Sequence, residues 1–175
     1  AWREHEFIDR INGLSYQEIA ARGGGILNSA EKLAQTSEEV LLIFALTRIE
    51  KVMKTGTGAI EIKSGYGLSL DTEMKMLRVI KKLKEISPIP IKSTLLGAHA
   101  VPKKYKDDKA AYLKIVTEEM IPMAASEGLA DFVDVFCEKN YFNVEDMLEV
   151  LNAGKKYGLK AKVHVNQFNI LGGIP

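Results

Sequence analysis

Apolar and polar positions follow two periods along this chain. Stripes at helical spacing predict amphipathic helices, and short alternating runs predict strands. The predicted strands are 59–63, 91–96, 131–137 and 159–165. The predicted helices are 15–22, one capped by Thr36 or Ser37 and ended by Gly56 and Gly58, 71–87, 107–127 and 144–157. A helix followed by β-α-β-α-β-α-β predicts parallel strands joined by right-handed helical crossovers.

Three sequence signals bear on where these helices begin or bend. Ser15 and Glu18 have the spacing of a capping box, which predicts the start of the first helix. Asp71 or Thr72 is predicted to begin the helix that follows the first strand. Pro122 lacks a backbone N–H, so we expect a kink or a new turn there.

Three of the four strands have one apolar and one charged face. In the third, Val133, Val135 and Cys137 share one face, and Asp134 and Glu138 share the other. Strands of a doubly wound sheet are buried on both faces and almost wholly apolar. A barrel strand instead turns one face to the helices and the other to the interior. The pattern favours an α/β fold that is a partial (β/α)8 TIM-type barrel, with an edge sheet whose charged face is solvated as the alternative.

The length of 175 residues limits how much of a barrel is present. A complete barrel takes about 250 residues, so this chain holds roughly half of one, about four parallel strands with flanking helices. The chain opens without Met and stops at Leu171-Gly172-Gly173-Ile174-Pro175. We therefore expect a piece of a longer protein, with 1–175 forming a single partial catalytic barrel domain.

Composition and charge exclude several classes of protein. A formal net charge of +1 gives no long-range field for nucleic acid or an anionic membrane surface. The single cysteine, Cys137, excludes an internal disulfide framework. No apolar run approaches the ~18 residues of a membrane span, and the N-terminus lacks the order of a signal peptide. We expect a soluble cytoplasmic protein with no nucleic-acid or membrane partner.

Two histidines stand at the carboxyl ends of predicted strands, where parallel α/β enzymes hold their sites. His99 follows the second strand and His164 lies in the fourth. Histidine is the commonest metal ligand. A lone histidine is more often structural, but two histidines at two strand ends favour a shared site.

Two further groups adjoin the end of the first strand. Tyr66 lies in the loop Ser64-Gly65-Tyr66-Gly67, whose glycines allow close backbone approach to a ligand and whose phenol offers a donor. An ordinary β-to-α turn is the alternative. Lys63, the last residue of that strand, is predicted to pair with Glu61 or Glu138.

Arg3, in the N-terminal stretch, is by itself typical of a solvated charge.

Several segments together resemble the imidazolonepropionases, a family of the amidohydrolase superfamily that acts in histidine breakdown. The most specific are Lys63-Ser64-Gly65-Tyr66-Gly67-Leu68 and Leu96-Gly97-Ala98-His99-Ala100-Val101-Pro102. Arg3 to Phe7, Asp134-Val135-Phe136-Cys137-Glu138 and His164 to Gln167 add to the likeness, which runs from end to end of the chain.

The resemblance implies a (β/α)8 barrel with a small β-sandwich domain and one Zn²⁺ or Fe³⁺ ion per active site. His164 matches one of four metal ligands, and the other three, a His-x-His pair and an Asp, would lie outside this chain, as would a later His. Arg3, Tyr66 and His99 match substrate-binding positions, and Tyr16 is a further candidate. Gln167 stands where some members carry a substrate-contacting Glu, and its amide, unlike a carboxylate, does not accept a proton at neutral pH. His99 and Gln167 are the expected catalytic groups.

The activity implied is hydrolysis of the cyclic amide of 4-imidazolone-5-propanoate to N-formimidoyl-L-glutamate, by a protein that is a homodimer when full length. With one ligand of four, the segment alone is expected to be inactive. A related amidohydrolase with another cyclic amide or an aminohydrolase substrate is the first alternative. A non-catalytic binding or structural module is the second.

Overall fold

A computed structural model describes residues 4–15, 18–19 and 25–174 of the protein. The helices are α1 (Glu4–Ile11), α2 (Gly25–Gln35), α3 (Glu38–Lys54), α4 (Leu70–Ile86), α5 (Lys109–Lys114), α6 (Ile121–Ser126) and α7 (Val144–Lys156). The strands are β1 (Ile60–Lys63), β2 (Ile91–Ala98), β3 (Phe132–Cys137), β4 (Lys160–Ala161) and β5 (His164–Val165). None of the described helices is both long and apolar enough to cross a membrane.

All the strands are parallel, and their order in the sheet is their order in the sequence. β1 pairs with β2, β2 with β3, and β3 with both β4 and β5. A doubly wound sheet reverses its strand order at a switch point, and the strands described here show no reversal. The predicted half-barrel flanked by helices is therefore confirmed.

The apolar strand faces pack against the helices, and this interface is the core. Leu95, Val133 and Val135 are fully buried there. Their helix partners include Met74, Leu77, Val116, Met120, Ile121 and Val150. Cys137 is fully buried in the same cluster, as expected for a small packed hydrophobe. The core thus lies outside the strand arc and leaves the charged faces turned to the other side.

Two predicted helix starts are confirmed, and one is wrong. Ser15 and Glu18 form the capping box: the Ser15 N–H donates to Glu18 Oε2 at 2.8 Å, and the Glu18 N–H donates to Ser15 Oγ at 3.3 Å. Of the two candidates for α3, Ser37 is the cap and accepts from the Val40 N–H. For α4 the cap is Ser69, not Asp71 or Thr72, because its hydroxyl accepts from the Thr72 N–H.

The expected disturbance at Pro122 takes the form of a π-helical stretch. Residues Ile115–Met120 widen the helix between α5 and α6, just before the proline. Pro122 has no N–H to donate, and its ring would press on the carbonyl one turn earlier. Widening that turn accommodates both effects without ending the helix.

The predicted fourth strand, 159–165, is broken. Within this segment only β4 and β5 pair with β3, as two short pieces on either side of Lys162 and Val163. The chain nevertheless stays beside β3, since the Lys162 N–H donates to the Val133 carbonyl at 2.9 Å. Helices α1 and α2 were not predicted, although both carry apolar residues at helical spacing.

Candidate active site

The charged strand faces form a ladder of ion pairs across the sheet. Lys63 Nζ lies 2.6 Å from Glu61 Oε1 and 2.9 Å from Asp134 Oδ2. Lys162 Nζ lies 2.6 Å from Glu61 Oε2. The predicted Lys63–Glu61 pair is confirmed, but the second partner of Lys63 is Asp134 and not Glu138. These contacts join β1, β3 and the segment after β4 on the face opposite the core.

Pairing in this ladder outweighs the penalty of burial. Burial raises the pKa of the Glu61 carboxyl, but hydrogen bonds from Lys162, Lys63 and Thr94 lower it to about 2. Burial likewise lowers the pKa of Lys63, while Glu61 and Asp134 raise it to a net value above its ordinary one. Both groups therefore remain charged at neutral pH. Asp134, only 1% exposed, is compensated by the Lys63 ammonium.

The two predicted histidines come together at the carboxyl ends of the strands. His99 directly follows β2, and its ring centroid lies 5.9 Å from that of Phe136 on β3. The His164 ring lies 6.2 Å from the same Phe136 ring. The Tyr66 ring stands edge-on to His99, with the centroids 5.2 Å apart. These three predicted site residues thus share one side of the sheet and one rim.

His164 lies against the buried end of the ladder. Its Nδ1 is 2.9 Å from Asp134 Oδ2, an ion-pair distance, but the ring is not aligned for a hydrogen bond. This nitrogen is buried without a hydrogen-bond partner, an arrangement that calls for an explanation in a native structure. The buried Asp134 carboxylate thus stands directly beside the His164 ring.

His164 suits a metal ion as one ligand of a larger set. Its imidazole is the kind of donor that zinc and iron take, and Asp134 stands behind it as an outer carboxylate. Among residues 4–15, 18–19 and 25–174, no three His, Cys, Asp or Glu side chains are grouped to hold a metal. A metal at His164 would therefore need ligands from outside these residues.

His99 is held in a defined protonation state by the loop after β1. Its Nδ1 lies 2.8 Å from the Gly65 carbonyl oxygen, which only accepts, so Nδ1 carries the proton. Burial lowers the pKa of His99, the Gly65 contact opposes this, and His164 lowers it further. The ring is therefore neutral at pH 7, and Nε2 is its unprotonated nitrogen.

Glu73, in the first turn of α4, is the residue that sequence reasoning missed. The carboxylate is fully buried and accepts from the N–H groups of Gly65, Gly67 and Leu68 at 2.6 to 2.9 Å. An acidic residue in a first helical turn is ordinarily attributed to the helix dipole. Its closeness to the Gly-x-Gly loop along the sequence is the signal that would have found it.

Glu138 has a matching role at the other end of the rim. Its side chain is 1% exposed and accepts from the N–H groups of Gln167, Phe168 and Asn169. Burial raises the pKa of Glu138, but these backbone donors bring it below its ordinary value. The predicted residue Gln167 is thus fixed by its backbone near His164, while its side chain is exposed.

A cavity of about 1010 Å³ lies beside the rim that carries His99 and His164. Loops after β1, β2, β3 and β5 line it together with α2, through residues such as Leu68, Val101, Tyr141 and Phe168. Neither His99 nor His164 lines it, so the site lies at the histidines and the cavity lies beside them. The remaining candidates, Arg3 and Tyr16, lie outside the described residues.

The strand order and the histidine-bearing rim define a parallel α/β-barrel protein with a strand-end site. Imidazolonepropionase of Christiangramia forsetii is 59% identical to this chain over 172 residues. That of Flavobacterium johnsoniae is also 59% identical, and that of Aeromonas salmonicida is 47% identical over 171 residues. Each match covers 98% of this chain, which spans 42% of the length of these relatives. No protein-family model matches the chain. As its motifs predicted, the chain belongs to the imidazolonepropionase family and corresponds to a part of such a protein.

Proposed function

We propose that the protein to which this chain belongs hydrolyses the cyclic amide of 4-imidazolone-5-propanoate to N-formimidoyl-L-glutamate in histidine degradation. The observation that carries this proposal is the meeting of His99, His164 and Tyr66 at one rim. The two histidine rings contact Phe136, and the Tyr66 ring contacts His99. Relatives that match 98% of the chain bear the name imidazolonepropionase, which supports the same reaction.

We propose further that His164 is one ligand of a single Zn²⁺ or Fe³⁺ ion. Such an ion, when bound, supplies a hydroxide nucleophile near neutral pH by lowering the pKa of its water. Asp134 supports this placement, because its buried carboxylate lies 2.9 Å from Nδ1 and leaves Nε2 as the nitrogen for the ion. Lys63, in turn, neutralises Asp134 from the opposite side.

The other proposed roles concern the organic substrate. The neutral His99 offers an acceptor at Nε2, so we assign it to the N–H of the substrate ring rather than to its oxygen. Tyr66 donates from its phenol. Arg3 binds the propionate through its guanidinium fork, with Tyr16 as a further contact. Gln167 does not accept a proton at neutral pH, so its amide orients the substrate or water by hydrogen bonds.

The test uses the full-length protein and its three described histidines. His164→Asn, His99→Asn and the matched control His5→Asn are assayed for loss of substrate absorbance and for bound metal by elemental analysis. His5 lies in α1, is exposed, and belongs to no part of the proposed site. We expect His164→Asn to lose metal and turnover together, His99→Asn to keep metal but lose at least about 100-fold in kcat/KM, and His5→Asn to match the wild type.

Two results would contradict the proposal. A metal-loaded wild-type protein without turnover would reject this substrate, and a panel of other cyclic amides and aminohydrolase substrates would then test the related activities. Full activity in His99→Asn would show that the rim residue His99 is not part of the active site. We also propose a cytoplasmic homodimer, for which sedimentation of the full-length protein is the measurement of assembly.

A further inference from the structure

The loop after β1 is attached to the body of the protein by one carboxylate. Glu73 Oε2 accepts from the Gly65 N–H at 2.7 Å, and Oε1 accepts from Gly67 and Leu68 at 2.6 and 2.9 Å. The residue is 0% exposed, so no water competes for these donors. Burial raises the pKa of Glu73, and the three backbone N–H groups only partly oppose that rise. The three hydrogen bonds to one buried side chain nevertheless attach the short loop to α4.

The backbone of the loop approaches Glu73 closely at Gly67. A Cβ at Gly67 would lie 2.5 Å from the Glu73 backbone nitrogen and 2.9 Å from Glu73 Oε1, which no side chain tolerates. Glycine at 67 is therefore required by the close approach between the loop and α4, not by a bound ligand. Leu68 completes the contact with a positive φ of 54°, unusual for a residue with a branched side chain.

Gly65 connects this attachment to the site. Its N–H donates to Glu73, and its carbonyl accepts from His99 Nδ1 at 2.8 Å. The backbone there has φ +103°, and a Cβ would lie 3.0 Å from His99 Nδ1. One glycine thus ties the buried carboxylate on one side to the imidazole on the other. Any rotation of this residue moves the carbonyl that selects the protonated nitrogen of His99.

We infer that Glu73 is a positioning residue for the site: by holding Gly65 it keeps the His99 ring protonated on Nδ1 and leaves Nε2 as an acceptor. This inference rests on the proposed function for its consequence, which is that the site accepts a hydrogen bond from a ring N–H of the substrate. The tautomer of His99 itself is inferred without the proposed function.

The chemistry of the side chain at 73 makes the inference testable. A glutamine has one accepting oxygen and one NH₂, so Glu73→Gln brings a donor up to at least one backbone donor. Glu73→Asp keeps both carboxyl oxygens but falls short by one methylene. Asp71→Asn is the matched control, because Asp71 lies in the same first turn of α4 and is exposed, while the loop N–H groups donate to Glu73.

The experiment uses the full-length protein with ¹⁵N-labelled histidine. Two-bond ¹H–¹⁵N correlation spectra show which ring nitrogen of His99 carries the proton, with its signals identified by their loss in His99→Gln. We expect Nδ1–H in the wild type and in Asp71→Asn. In Glu73→Gln we expect mixed or Nε2–H tautomers, with kcat/KM reduced about 100-fold by misplacement of the ring and smaller effects of both kinds in Glu73→Asp.

Three outcomes would overturn the inference. The first is an Nε2–H tautomer of His99 in the wild type, a measurement that does not depend on whether any variant folds. The second is an unchanged tautomer in both variants at position 73, and the third is a fall in melting temperature alone, which is what a merely structural role predicts. If the wild type shows no turnover, the proposed function fails, whereas the tautomer comparison still decides the part played by Glu73.

Discussion

Replacing Glu61 with glutamine tests whether the ion-pair ladder contributes to the stability of the half-barrel. Glu61 accepts from Lys63 and Lys162 at 2.6 Å each and from Thr94 at 2.5 Å. Glutamine keeps the shape of the side chain but removes the charge that both lysines contact. Lys63 retains Asp134, and Lys162 retains its position over the Phe132 ring, so the loss belongs mainly to Glu61.

The expected magnitude follows from the pKa of this carboxyl. Its pKa is lowered from 4.5 to about 2 in the folded protein, and each pKa unit corresponds to about 1.4 kcal/mol. The upper limit is therefore about 3 kcal/mol at pH 7. The side chain is 28% exposed and solvent screens part of the interaction, so we expect about 2 kcal/mol.

The pH dependence gives the sharper test. Because the pKa is lower in the folded state, this stabilisation is complete above the unfolded value of 4.5 and is lost as the pH falls toward 2. More than about half of it disappears between pH 5 and pH 3 by the same relation. The wild type should therefore lose more stability over this range than Glu61→Gln, as measured by urea unfolding of the full-length protein.

A surface ion pair provides the control. Glu38 is 27% exposed, much like Glu61, but it pairs at 2.8 Å with Lys82, whose side chain is 48% exposed, whereas Glu61 pairs with two partly buried lysines; Glu38→Gln should therefore cost less than about 1 kcal/mol at pH 7. The reasoning is refuted if Glu61→Gln loses stability between pH 5 and pH 3 as steeply as the wild type. It is also refuted if the two variants are equally stable at pH 7.

Three glycine substitutions, one of them a control, give further predictions. Gly154→Ala should destabilise by about 1–3 kcal/mol, although helix propensity alone predicts a gain, because the new Cβ would lie 2.4 Å from Val133 Cγ1; thermal unfolding decides the sign. Gly65→Ala should lower both the melting temperature and kcat/KM, since its Cβ would press on His99. Gly128→Ala shares the positive φ but has no neighbour within 4 Å, so it should lower stability and spare kcat/KM.

Local pattern was enough to predict the framework of the site. The alternation in strands such as 131–137 indicated a charged face, and the structure places Asp134 and Lys63 in contact there. His99 and His164 were placed at strand ends because the ends of parallel strands meet at one edge of a sheet. Their rings do meet at that edge, both against Phe136. Their chemical roles stay predictions.

The partners of the buried carboxylates were not predictable in this way. Glu73 and Glu138 each bind three backbone N–H groups, and Lys63 pairs with Asp134 across 71 positions of sequence. Periodicity reports which face a residue occupies, but it carries no information on the path of a loop. Backbone N–H donors are present at every position except proline, so no residue type marks the ones that a distant carboxylate will contact.

The sequence by itself determined the α/β class, the polarity of the faces of three strands, the histidines at the rim and the likeness to imidazolonepropionases. These follow from side-chain alternation and from motifs, which are properties of neighbouring residues. Only the tertiary structure decided the break between β4 and β5, the tautomer of His99 and the attachment of its loop to Glu73. These depend on the meeting of distant segments, where burial removes water and leaves each polar group to the partner that packing supplies.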